Sequence, residues 1–170
     1  MRVVVVPGVL ALLDRYASID DPVAQLRTAV GEAVSWLLEP GATVAVYCEP
    51  QHLRLAEQLV LGAGGRLHPF EEPEAVLAIA NGSAKRTEKA PGHFDERAEA
   101  FDAELGKALR AGDSRALAGL DETLARDLWA DVGAFRSLSS DVDLTGAEVH
   151  VDYDDAPYGV QYWVVRWQCP

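Results

Sequence analysis

Residues 76–102 read VLAIANGSAKRTEKAPGHFDERAEAFD. Val76 to Ala80 is a short apolar run of the kind that forms a strand buried on both faces. Asn81-Gly82-Ser83 breaks that run, and a polar loop bearing Lys85, Arg86 and Lys89 leads to a helix expected from about Phe94 to Arg110. Strand, loop and helix in this order predict an α/β sheet. In such sheets ligands collect in the crevice outside the carboxyl ends of the strands, so this loop is a candidate binding segment.

The same alternation extends upstream. Arg2 to Val6 is a β-branched run closed by Pro7-Gly8, and Thr43 to Cys48 is a second buried strand. Between them, Val23, Leu26, Ala29, Val30, Ala33, Val34 and Leu37 follow helical spacing. Asp20 or Asp21 is the expected cap, Pro22 sits in the first turn, and Pro40-Gly41 is the stop. A helix from about His52 to Leu61 ends at Gly62, Gly64 and Gly65, and Arg66 to His68 is a short strand. Downstream, helical stretches are expected near Ser114 to Leu120 and Asp121 to Leu138, capped by Asp113 and Asp121. Glu148 to Tyr153 and Val160 to Trp167 complete the pattern as a strand pair, a candidate antiparallel hairpin. These elements predict one α/β domain over residues 1–170. It has three layers, α/β/α, around a twisted, mostly parallel sheet.

Composition bounds the partners. Fifteen basic and twenty-seven acidic residues give a net charge of −12, which opposes binding to nucleic acid or to an anionic membrane. No run approaches the roughly twenty apolar residues of a membrane span. The apolar start, MRVVVVPGVLALL, is interrupted by Pro7 and Gly8 and has no small-residue cleavage site, so a cytoplasmic location is expected. Two cysteines make neither a disulfide framework nor a zinc motif. Cys48 reads as a buried free thiol and Cys169 as an exposed, terminal one.

Candidate chemistry is sparse. The four histidines, His52, His68, His93 and His150, show no paired metal-ligand spacing. His52 directly follows the second strand, a place suited to a site residue and equally to the first turn of a surface helix. His150 falls mid-strand and is expected to pack. Ser83 follows a strand but lacks the second glycine of a nucleophile elbow, so a turn serine is the simpler reading. Lys85, Arg86 and Lys89 could hold a carboxylate or phosphate, or could pair with Glu88 and Glu96. Asp152, Asp154 and Asp155 could bind a divalent cation or satisfy loop amides before Pro157-Tyr158-Gly159.

Three segments together resemble the class III extradiol ring-cleavage dioxygenases, specifically their B-type catalytic subunits. They are VVVVPGVLALL, then NGSAKRTEKAPGHFDERAEAFDAEL followed by LRAGDSRALAGLD, and finally YDDAPYGVQYWVV. More narrowly, the chain resembles a short actinobacterial member of that group. The resemblance implies an α/β/α fold, subunits that often pair as homodimers, and Fe(II) held by two histidines and a carboxylate. A further histidine would serve as acid and base in ring opening. Carried onto this sequence, the first histidine position is Gly8, and the second is Gln51, with His52 one place away. The acid/base position is Ala84 after Ser83, and the carboxylate is matched by Asp155.

The reading that follows is a non-catalytic, dioxygenase-like protein with no cofactor. Its remnant cleft is formed by Gly8, Gln51, His52, Ser83, Lys85, Arg86, Asp155 and Tyr158, and it takes a small ligand, with an anion as the natural candidate, or a protein partner. The alternative is an active Fe(II)-dependent dioxygenase, or another metalloenzyme, with a rearranged site drawing on His52, Asp155 and a histidine such as His93.

Overall fold

The structure, a computed structural model, describes residues 1–13, 21–38, 42–67 and 73–170. Its six strands are β1 (Arg2–Val6), β2 (Thr43–Tyr47), β3 (Arg66–Leu67), β4 (Ala75–Ile79), β5 (Glu148–Asp155) and β6 (Tyr162–Gln168). They form one sheet in the order β3-β2-β4-β1-β6-β5. The strands β3, β2, β4 and β1 run parallel, while β6 lies antiparallel to both β1 and β5. Among the described residues there are six α-helices: α1 (Ala24–Leu37), α2 (Leu53–Gly62), α3 (Arg97–Ala111), α4 (Ser114–Ala118), α5 (Glu122–Asp127) and α6 (Gly133–Asp141).

Strand side chains alternate between two apolar clusters, as the period of a pleated strand requires. Val3, Val5, Val76, Ala78, Trp163 and Trp167 pack with residues of α3, α4, α5 and α6. Val4, Val6, Leu77, Ile79, Tyr162 and Val164 pack with those of α1 and α2. A strand buried on both faces has no polar register, which is why β1 and β4 read as unbroken apolar runs. Trp167 is fully buried, and its indole N–H donates to the Leu109 carbonyl in the last turn of α3 at 3.1 Å.

The two sheet edges are guarded differently. At one edge β3 has two described residues, Arg66 and Leu67. At the other, β5 is lined with carboxylates and bulges between Val151 and Tyr153, and Arg166 grips Asp152 at 2.6 and 2.7 Å. Short, charged and bulged edges resist pairing with other chains. None of the helices among the described residues is long and apolar enough to cross a membrane.

Several expectations need correction. The helix expected from Phe94 begins at Arg97, because Pro91-Gly92-His93 forms a turn with His93 in the left-handed region (φ 59°) and the Asp95 carboxylate accepts the Arg97 N–H at 3.0 Å. The stretch expected over Asp121 to Leu138 is two helices. Trp129 turns left-handed (φ 58°), and Asp131 forms an antiparallel bridge with Asn81 whose extended backbone a helix cannot supply. His150 is exposed beside Glu148 at 3.2 Å rather than packed, since β5 is an edge strand. Cys169 is buried, its N–H donating to the Met1 carbonyl at 2.8 Å. Cys48 is half-buried, and both cysteines are free thiols. The expected caps at Asp113 and Asp121 form, and at the start of α1 Asp21 accepts the Val23 N–H. Asp20, Pro40-Gly41 and His68 lie outside the described residues.

The Asp121 carboxylate accepts the N–H groups of Thr123 and Leu124 at 2.9 and 3.0 Å. Asp121→Ala should therefore cost about 1 kcal/mol in urea unfolding, without a change in the slope of the transition.

Candidate functional site

Parallel pairing brings the ends of β1, β2 and β4 to one edge of the sheet, at Pro7-Gly8, Cys48-Glu49 and Ala80-Asn81. All three meet at His52. A short 3-10 turn over Pro50–His52, with the His52 N–H donating to the Glu49 carbonyl at 2.9 Å, turns the chain after β2 toward β1. The imidazole then lies over Gly8. A Cβ at position 8 would stand 2.6 Å from its Cε1 and Nε2 atoms. Nε2 lies 2.8 Å from Asp131 Oδ2, and the backbone of Asp131 exchanges two hydrogen bonds with Asn81, at 2.8 and 3.0 Å. The histidine–carboxylate contact is short but poorly aligned, so the buried Oδ2 is left without an aligned donor. Burial pushes the Asp131 carboxyl upward in pKa, the neighbouring His52 opposes that shift, and Glu49 adds to it.

An open depression of about 470 Å³ borders Asp131, lined also by Glu49, Gln51, Arg126 and Trp129 among others, with His52 behind Asp131. Trp129 is 58% exposed there, and the Lys85 ammonium sits 5.6 Å from its ring centroid.

Ser83 belongs to a different constellation. It is fully buried; its N–H donates to Asp102 Oδ1 at 2.8 Å and its hydroxyl to Oδ2 at 2.6 Å. Arg86 reaches the same Oδ2 at 3.5 Å. Backbone bonds from Gly82 to Gln161, Ala84 to Leu128 and Arg86 to Gly159 stitch the loop to the hairpin and to the end of α5. Burial is the largest influence on Asp102 and raises its pKa despite the Ser83 bonds and the Arg86 charge. The arrangement clamps the loop, and Ser83 has no histidine partner.

The eight candidates therefore divide. Gly8 lies against His52, His52 reaches Asp131, Gln51 lines the depression with Asp131, and Ser83 and Arg86 join Asp102. Lys85 covers Trp129. Asp155 accepts the Ala156 N–H at 2.7 Å within the hairpin turn, and Tyr158 lines a separate cavity. Lys85 and Arg86, both half-buried, thus face different partners, Trp129 and Asp102. His52 points to Asp131, not to Asp155, and His93 is exposed on the turn before α3. Asp131, Glu49, Trp129 and Asp102 were not among the expected residues. Asp102 had a visible signal, since it shares a helical face with Ala98, Leu105 and Leu109, where a carboxylate must be paired. Asp131 had none, because only the fold brings it to Asn81 and His52.

The donors do not fit the iron that the dioxygenase resemblance implies. Gly8 and Ala84 offer no ligand atom, Gln51 is exposed, and among the described residues no three His, Cys, Asp or Glu side chains gather as a metal site. No family model matches the sequence, and no curated protein matches it.

Two outcomes follow from this geometry. Gly8 has no left-handed backbone, so Gly8→Ala acts through the clash with His52 alone and should destabilise by about 1–3 kcal/mol. In a His52→Ala background the same change should become neutral or stabilising, because alanine restricts the unfolded chain; chemical denaturation of the four proteins measures this. Asp102 has a folded-state pKa raised above 3.8, so the fold binds its proton more tightly than the unfolded chain does. Its contribution to stability is present at low pH and lost as pH rises through the folded value. Asp102→Asn, compared with the unmodified protein, should gain relative stability as pH rises above the ordinary carboxylate value, read from urea midpoints at a series of pH values.

Proposed function

We propose that this chain is a dioxygenase-like domain of three-layer α/β/α form that no longer cleaves rings and instead binds a small molecule in the depression beside His52 and Asp131. Apolar clusters on both faces of the sheet support the layered form. One observation carries the functional reading: the His52 imidazole occupies the space that a side chain at position 8 would need. A ligand residue at position 8 and the present His52–Asp131 pair exclude one another, so the old first position is closed by the new pair. The pair itself is a hydrogen-bonding feature on a sheet edge where α/β proteins hold ligands.

The sign of the ligand differs from what the basic loop suggests. Glu49, Glu122 and Asp131 outnumber Arg126 around the depression, and Arg136 is paired with Glu122. Acceptors of this kind suit a neutral molecule carrying hydrogen-bond donors better than an anion. The reading includes a cytoplasmic location, which suits two unpaired cysteines, and a homodimer as the candidate assembly.

Titration with catechol should shift the His52 ring resonances saturably in NMR spectra, and protocatechuate, its anionic analogue, should bind more weakly. Protein incubated anaerobically with Fe(II), then given oxygen and either compound, should yield no ring-opened product. Ring opening, or His52 resonances indifferent to catechol, would overturn the proposal.

A further inference from the structure

A second cavity, about 720 Å³, lies between residues 87–91 and the turn of the β5–β6 hairpin. Pro91, Ala156, Pro157, Val160 and the rings of Tyr158 and Tyr162 give it mainly apolar walls. Its volume is that of sites which enclose small organic molecules. Backbone fixes its shape. The Gly159 carbonyl accepts the Arg86 N–H at 3.0 Å, and a Cβ on Gly159 would stand 2.5 Å from Thr87 Oγ1 and 2.8 Å from Ala90 Cβ, so glycine is what lets the two walls touch. Gly159 also holds φ 70°, a conformation that glycine adopts without strain.

Tyr162 is the unusual member. It is 95% buried by its 5% exposure, yet among the described residues nothing hydrogen-bonds its hydroxyl. The side chain is buried while its hydroxyl stays open to the cavity, so water or a ligand supplies the bond that the protein does not. Burial, with Tyr158 and Tyr153 nearby, pushes the Tyr162 pKa up to about 12, so the phenol remains a neutral donor at any physiological pH. At the rim the charge of Lys89 is offset by Glu88. Together with the net charge of −12, this disfavours a free anion.

We propose that this cavity binds a neutral, largely apolar molecule bearing a carbonyl oxygen, a ketone, ester or amide, with that oxygen accepting the Tyr162 hydroxyl proton. None of its walls borders the His52–Asp131 depression, so the inference stands independently of the function proposed for that site.

The test uses octan-2-one, octane and octanoate as probes, following the Ala156 and Val160 methyl resonances of the full chain by NMR. Octan-2-one should shift them saturably and bind more tightly than octane or octanoate. Tyr162→Phe should leave the melting temperature unchanged, because the hydroxyl is open to the cavity and bonds nothing among the described residues, and should weaken octan-2-one binding about fivefold, the loss of one hydrogen bond. Ala156→Trp, which fills the cavity, should abolish binding while far-ultraviolet circular dichroism reports a folded chain. Methyl resonances that do not move with octan-2-one, octanoate binding as tightly as the ketone, or unchanged affinity in Tyr162→Phe would overturn the proposal.

Discussion

Burial of β1 on both faces, with hydrogen-bonded neighbours on both sides, is the constraint from which the rest of the molecule follows. Val3 to Val6 are essentially inaccessible to water, and the strand pairs in parallel with β4 and antiparallel with β6. It is therefore the seam between the parallel part of the sheet and the hairpin. Helices must cover both of its faces, since neither can be left to solvent. Its end is equally determined. Ala80 donates to the Val6 carbonyl at 3.0 Å, and Pro7 follows with no N–H to continue a ladder. The chain leaves the sheet at Gly8, directly beneath His52.

Because β6 runs against β1, the turn joining β5 and β6 falls at the same edge as the ends of β1, β2 and β4. A fully parallel sheet would put a strand end there. The hairpin puts Ala156 to Val160 there instead, and the loop after β4 has to pack against it. The bonds from Gly82 to Gln161, from Gln161 to Ser83 and from Arg86 to Gly159 are that packing. With the buried Ser83–Asp102 pair they take up the polar groups of the loop. Residues 82–86 of the loop are thus bonded to the protein itself, while Thr87, Glu88, Lys89 and Pro91 line the hairpin cavity.

What the sequence made legible, and what it hid, follows from the range of the interactions. β1 and β4 were readable because burial on two faces writes an unbroken apolar run, and the Asp113 and Asp121 caps because capping is local. The start of α3 was misjudged because Phe94 is apolar yet 54% exposed, standing on a turn that Pro91 and Gly92 impose. His52 and Gly8 could be placed at the sheet edge from position alone. Their mutual contact could not, because it depends on the spacing between β2 and β1 with β4 intervening. Asp131 was hidden for the same reason, while Asp155, the position the resemblance gives for the carboxylate, accepts the Ala156 N–H in the hairpin turn.

The charges of the loop after β4 show how composition misleads at short range. Lys85, Arg86 and Lys89 form a basic cluster in a chain of net charge −12, and a cluster in sequence suggests a cluster in space. Successive side chains leave a loop in different directions, and here each finds a separate partner or solvent. Lys85 spreads over Gly92 and reaches Trp129, Arg86 turns inward to Asp102, and Lys89 lies at the rim of the hairpin cavity. Dispersed this way, three cations cannot converge on one anion. Of the depressions beside this loop and beside Asp131, the first is apolar and the second acidic. Neutral ligands are accordingly what we propose for both, held by acceptors at the acidic one and by the Tyr162 hydroxyl at the apolar one.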